Sequence, residues 1–74
     1  MIPRDQLIAR LRQAHYTFVA RQKRTELWRQ QGGVQRVNVP LRDCFLPEEA
    51  GVILRQAGLT QAQVEGFLAA AVKY

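Results

Sequence analysis

The sequence is poor in the residues that build metal sites, disulfide frameworks and histidine-based active sites. Its 74 residues contain one cysteine, Cys44, and one histidine, His15. A single cysteine excludes an intramolecular disulfide and a site with several cysteine ligands, and a single histidine excludes a zinc site built on a histidine pair. We therefore expect no metal and no other cofactor.

Long apolar runs are also missing. No run approaches the ~20 residues that a membrane helix needs, and the first residues lack the apolar core of a signal peptide. The apolar fraction of 47% with 23% charged residues is typical of a folded protein. A chain of this length has room for one small core. We expect a single cytoplasmic domain over residues 1–74 that does not bind membranes.

Acidic residues are scarce in the middle of the chain. From Arg21 to Arg42 the sequence contains six cations and one acid, Glu26, whereas the remainder contains five residues of each sign. The whole net charge of +5 therefore lies in this middle third. Concentrated positive charge attracts polyanions and speeds their capture, so the segment predicts a nucleic-acid-binding surface. A solvated basic surface without a ligand is the alternative.

The spacing of apolar residues predicts three helices, over residues 3–14, 47–57 and 60–73. Gly58, with a leucine after it, indicates a Schellman ending of the second helix. A Thr-Gln-Ala-Gln capping box opens the third. His15 follows the first helix, at a position where a left-handed backbone is common.

Between these helices, aromatic and β-branched residues predict three strands over 16–22, 24–30 and 34–40, with a turn at Gly32-Gly33. The resulting order is αβββαα, an α+β two-layer sandwich with the helices against one face of an antiparallel meander. Because strand side chains alternate between faces, Arg29 is expected on the face opposite to that of Trp28.

Several short strings occur in order along the chain. They are Arg21-Gln22-Lys23, Glu26-Leu27-Trp28-Arg29, Arg36-Val37-Asn38-Val39-Pro40 and Ile53-Leu54-Arg55-Gln56-Ala57-Gly58-Leu59-Thr60. Together with the order of helices and strands, they make the chain resemble the HicA-type toxins of prokaryotic toxin–antitoxin pairs. The resemblance implies a fold similar to a double-stranded-RNA-binding domain. It also implies an mRNA interferase, which is an endoribonuclease that cuts messenger RNA, and neutralisation by a HicB-type antitoxin.

The chain departs from this family at the catalytic position. Family members carry Gly-Ser-His at the start of the second strand, and that histidine is catalytic. Matching Glu26-Leu27-Trp28 to the family's Glu-Ile-Trp places the histidine position at Thr25, and a shift by one places it at Glu26. Cleavage by the 2′-hydroxyl needs groups that take and return a proton, and a threonine hydroxyl does not ionise usefully. The sequence therefore predicts that cleavage is lost or weak.

Two residues remain as weak catalytic candidates, so an active endoribonuclease with a relocated acid or base stays an alternative. Histidine exchanges protons near neutral pH, but a helix-ending or surface role is the stronger interpretation of His15. The neighbouring cations favour an ion pair rather than general-base chemistry for Glu26. Cys44 is interpreted as a small packing residue, and Trp28 as a core or partner-contacting residue rather than a base-stacking one.

The basic residues of the middle segment are the predicted RNA-binding residues. They are Arg21, Lys23, Arg24, Arg29 and Arg36. Such side chains bind phosphates in A-form geometry, with little sequence readout. The same surface suits an acidic HicB-like antitoxin, and a non-catalytic protein-interaction module is the remaining alternative. The last helix offers an apolar face for homo-oligomer formation, made of Val64, Phe67, Ala71 and Val72.

Overall fold

A three-stranded antiparallel sheet forms the centre of the molecule, and helices cover one of its faces. The computed structural model describes residues 1–71. In chain order the elements are β1 (Ile2–Pro3), α1 (Arg4–Gln13), β2 (Tyr16–Arg21), β3 (Thr25–Gln30), β4 (Arg36–Pro40), β5 (Cys44–Phe45), α2 (Pro47–Gln56) and α3 (Gln61–Ala71). The sheet order is β2-β3-β4. The predicted α+β class and αβββαα order are confirmed. None of the helices in the described range is long and apolar enough to cross a bilayer.

Strands β1 and β5 were not predicted. They form a separate antiparallel pair in which Ile2 lies opposite Phe45 and Pro3 opposite Cys44. A two-residue strand is too short to show an alternating pattern. Ile2 and Phe45 are fully buried, so the pair joins the N-terminus to the segment before α2. Pro3 is extended, with φ −62° and ψ 142°, and precedes α1 instead of opening it.

The predicted helix signals in the second half of the chain are confirmed. Thr60 Oγ1 accepts the N–H of Gln63 across 3.2 Å, and Gln63 Oε1 accepts the N–H of Thr60 across 2.8 Å, which is a capping box. Gly58 ends α2 with a φ of +94°. The N–H of Leu59 then donates to the carbonyl oxygen of Leu54 across 3.1 Å, as a Schellman ending requires.

The core lies between the helices and the inner face of the sheet. Its largest fully buried side chains are Tyr16, Phe45, Ile2, Leu7, Leu11, Leu54 and Val39. From α3, Val64 and Ala71 are buried in this core and Phe67 packs against it. These three side chains of the predicted oligomer face thus contact the chain's own core, while Val72 and Lys73 lie outside the described residues. Self-association through α3 stays a prediction.

We expect Tyr16→Phe to lower the free energy of unfolding by about 1–3 kcal/mol. The Tyr16 hydroxyl donates to the carbonyl oxygen of Ala57 across 2.6 Å, and the substitution leaves that buried acceptor without its donor. Burial also raises the pKa of Tyr16. The hydroxyl's contribution is therefore complete below the ordinary phenol pKa of about 10 and is lost as the pH rises above it.

Urea denaturation at neutral pH and above pH ~10 measures both effects. The wild type should lose stability with rising pH more steeply than the Tyr16→Phe variant, because only the wild type has this hydroxyl to titrate in the unfolded state. Equal midpoints at neutral pH would show that the hydrogen bond to Ala57 contributes nothing.

Candidate nucleic-acid interface

Two arginines lie directly opposite each other on the face of the sheet that the helices leave uncovered, here called the outer face. The register of β3 and β4 pairs Arg29 with Arg36 and Trp28 with Val37. Trp28 and Val37 are buried in the core, and side chains alternate between faces, so the two arginines point away from the helices. Both arginines are exposed. The position predicted for Arg29 from alternation is confirmed.

The Arg29–Arg36 pair is electrostatically unfavourable in the protein alone. Like charges directly opposite each other on a sheet destabilise it. The ion pairs found among residues 1–71 involve neither of these arginines. An anion bound between the two guanidinium groups removes their repulsion and receives hydrogen bonds from both. The Arg29–Arg36 pair therefore makes this part of the outer face positively charged.

A second pair of cations, Lys23 and Arg24, lies in the turn between β2 and β3. The N–H of Gln22 donates to the carbonyl oxygen of Thr25 across 2.8 Å. The N–H of Leu41 donates to the carbonyl oxygen of Arg24 across 3.0 Å. These bonds fix the backbone of the turn, and both cationic side chains are exposed. Five positions of β3 separate this turn from the arginine pair, which corresponds to about 17 Å of extended strand.

Arg21 lies on the other side of the sheet. A bulge in β2 shifts the register between Phe18 and Ala20, and after it Arg21 is opposite Glu26. The extra residue of a bulge interrupts the alternation of side chains. Arg21 therefore returns to the helix-covered side, where its Nη2 lies 3.5 Å from Glu26 Oε2. The structure thus brings four of the five predicted RNA-binding residues to the outer face and the adjoining turn, and separates Arg21 from them.

Glu26 is held by donors from three elements. Arg4 forms an ion pair with Glu26 Oε1, and Arg4 Nη1 donates to the carbonyl oxygen of Pro40 across 2.6 Å. Trp28 Nε1 donates to the same carboxylate oxygen across 3.4 Å, and Arg21 approaches the second oxygen. Only 13% of the Glu26 side chain is exposed. The ion pair predicted for Glu26 is present, and it links the start of α1 to the sheet.

The two weak catalytic candidates, His15 and Glu26, do not come together, and Thr25, the residue matched to the histidine position of HicA-type toxins, contacts a residue of its own turn. The hydroxyl of Thr25 donates to the side-chain oxygen of Gln22 across 3.1 Å. His15 ends α1 with a φ of 68°, the predicted left-handed conformation, and its carbonyl oxygen accepts the N–H of Gln31 across 2.8 Å. His15 is thus at the opposite end of β3 from Glu26, about 17 Å away along the strand. Since an acid and a base must both reach the reacting atoms, these two residues do not form a pair.

The exposed aromatic residue of this region is Phe18, which the sequence did not single out. Trp28 is only 3% exposed, so its core interpretation is confirmed. Phe18 is 50% exposed although it lies opposite Trp28 on the same side of the sheet. The difference arises because β2 is an edge strand and β3 is the central one. The alternation of side chains along a strand predicts the face of the sheet on which a residue lies. It does not predict how close the strand is to the edge of the sheet, so the exposure of Phe18 could not be read from it.

Among residues 1–71, no cluster of three or more histidine, cysteine, aspartate or glutamate side chains is placed so that it could hold a metal ion. Cys44 is half-buried in β5 as a free thiol, in agreement with its packing role. Comparison with known proteins finds no matching family model and no matching curated protein.

Proposed function

We propose that this protein binds RNA through its outer face and the β2–β3 turn. The proposed contacts are Lys23, Arg24, Arg29 and Arg36. The observation that carries the proposal is the exposed Arg29–Arg36 pair. Arg29 on β3 lies directly opposite Arg36 on β4, and neither has an acidic partner among the described residues. The repulsion between these two like charges destabilises the free protein, and a bound polyanion offsets it.

A polyanion fits this surface better than an isolated anion because the cations form two separated groups. The arginine pair and the turn are about 17 Å apart along β3. A nucleic-acid duplex carries about ten phosphate charges over that length, so one molecule reaches both groups. Contacts of this kind read the shape and charge of the backbone rather than the base sequence.

The resemblance to HicA-type toxins supports RNA as the polyanion and an acidic HicB-like antitoxin as a partner that covers the same surface in the cytoplasm. Because the residue at the family's histidine position is Thr25 or Glu26, we infer that RNA is bound with little or no cleavage. The Glu26 carboxylate is occupied by Arg4, Arg21 and Trp28, which supports the same inference.

Titration of a fluorescently labelled RNA at several salt concentrations tests the proposal. Arg29→Ala and Arg36→Ala should each weaken binding severalfold and reduce the slope of log affinity against log salt by roughly 0.7–0.9, the contribution of one phosphate contact. Arg55→Ala is the matched control, because it removes the same charge from an exposed position on α2. The labelled RNA is expected to stay intact throughout.

Other outcomes assign the protein to the alternatives. Equal losses in Arg29→Ala and Arg55→Ala would mean that net charge alone attracts RNA, and would contradict a defined surface. RNA cleavage that disappears in His15→Ala would indicate a relocated acid or base. A wild-type protein that binds no RNA at low salt but holds an antitoxin-like partner tightly would be a protein-interaction module.

A further inference from the structure

A groove runs between α1 and the β2 edge of the sheet, on the side opposite to the outer face. Its volume is about 410 Å³, within the usual range for small-ligand sites. Its polar and aromatic lining residues are Arg4, Asp5, Arg12, Phe18, Glu26 and Trp28. None of the proposed outer-face contacts lies in this groove, so the proposed RNA-binding surface does not account for it.

The groove offers two flat surfaces. The Phe18 ring packs edge-to-face against Trp28, with ring centroids 5.9 Å apart and an angle of 76° between the ring planes, and half of Phe18 is exposed. The Arg12 guanidinium lies 5.1 Å from the centroid of the Trp28 ring. Arg12 is exposed, and the ion pairs of the described residues do not include it. Aromatic rings and guanidinium planes are the groups on which unstacked bases are held.

The charges of the groove favour a neutral ligand over a phosphate. Its lining contains two arginines, Arg4 and Arg12, and two acids, Asp5 and Glu26, so its formal charge is zero. A nucleobase is planar and neutral, and the N–H groups on its edge can donate hydrogen bonds to an aspartate oxygen. The phosphate beside such a base has a cation nearby, because Arg21 reaches Glu26 from β2 with 69% of its side chain exposed.

We propose that this groove binds one unstacked base of a single-stranded RNA, against the Phe18 ring and the Arg12 guanidinium. The inference rests on the proposed function and adds a site to it. Because β2 is an edge strand, a flexible single strand passes around it from the outer face to the groove. A duplex keeps its bases stacked and paired, so it binds to the outer face alone.

Binding of a labelled single-stranded oligoadenylate and of a labelled hairpin duplex tests the groove. Phe18→Ala should weaken binding of the oligoadenylate at least about fivefold and leave its salt slope unchanged, because stacking releases no counterions. Binding of the hairpin duplex should not change. Val19→Ala is the matched control, since Val19 is the next residue of β2, is 49% exposed and does not line the groove.

A second variant separates stacking from folding. Phe18→Leu keeps an apolar contact with Trp28 but has no flat ring, so it should lose oligoadenylate binding as Phe18→Ala does. Oligoadenylate binding that equals the wild type in both variants would overturn the groove proposal. The proposed function would still stand if Arg29→Ala reduced the salt slope in that case. A wild type without any RNA binding would overturn both.

Discussion

Replacing Glu26 by alanine is expected to lower the free energy of unfolding by about 2–4 kcal/mol. This is slightly less than the cost of removing one partner of a fully buried ion pair, because both side chains of the Arg4–Glu26 pair are partly exposed. The Arg4 side chain is only 19% exposed, and without Glu26 its charge loses its ion-pair partner. The Trp28 indole N–H loses its acceptor as well. Both losses occur where α1 begins against the sheet, so the contact between these two elements weakens.

Urea denaturation of Glu26→Ala and Glu65→Ala measures this effect against a matched carboxylate. Glu65 is exposed on α3 and accepts one hydrogen bond, from Gln61 across 2.9 Å, so its loss should cost no more than about 0.5 kcal/mol. Glu26→Gln keeps an acceptor oxygen but removes the charge, so its loss of stability should lie between those of Glu26→Ala and Glu65→Ala. If Glu26→Ala costs no more than Glu65→Ala, the ion pair with Arg4 does not stabilise the fold.

The order of the elements was predictable because it depends on local signals. Gly58 can adopt its φ of +94° without strain, and Thr60 and Gln63 cap α3 through contacts only three residues apart. The turn at Gly32-Gly33 likewise depends on neighbouring residues, with the N–H of Gly33 donating to the carbonyl oxygen of Gln30 across 3.2 Å. Signals of this kind are present in any short window of the sequence.

The side of the sheet on which each cation lies was predictable only where the strand is regular. Arg29 follows strict alternation along β3 and lies on the outer face as predicted. Arg21 does not, because the bulge beyond Phe18 returns it to the inner side. Nothing in the order of residues from 16 to 21 marks the extra position. Five cations close in sequence therefore separate in space, and only four of them form the candidate RNA surface.

The partners of Glu26 could not all be predicted from the sequence, for a different reason. The sequence predicts an ion pair for this acid but indicates cations of its own segment as partners. The structure supplies Arg4 from α1, which is 22 positions away in the chain. The unpredicted β1–β5 pair helps to place this helix, because Pro3 immediately precedes Arg4 and lies opposite Cys44. Long-range partners of this kind follow from the packing of elements rather than from any local pattern.

Trp28→Ala is expected to have the largest effect on stability, about 3–5 kcal/mol. Trp28 is buried at the centre of the middle strand, where it contacts the Phe18 ring, the Arg12 guanidinium and the Glu26 carboxylate. A folded chain of 74 residues has a total stability of about 4–11 kcal/mol. The loss is therefore a large fraction of the stability of the domain, and the variant should unfold at a much lower urea concentration than the wild type.

Circular dichroism during urea denaturation is the suitable measurement, because Trp28 is the only tryptophan and its fluorescence disappears with the substitution. Trp28→Phe keeps an aromatic ring in the core but cannot donate to Glu26, so it should lose less stability than Trp28→Ala. Phe18→Ala, at a half-exposed site on the same side of the sheet, should lose least. A Trp28→Ala protein as stable as Phe18→Ala would contradict the central place of this side chain in the core.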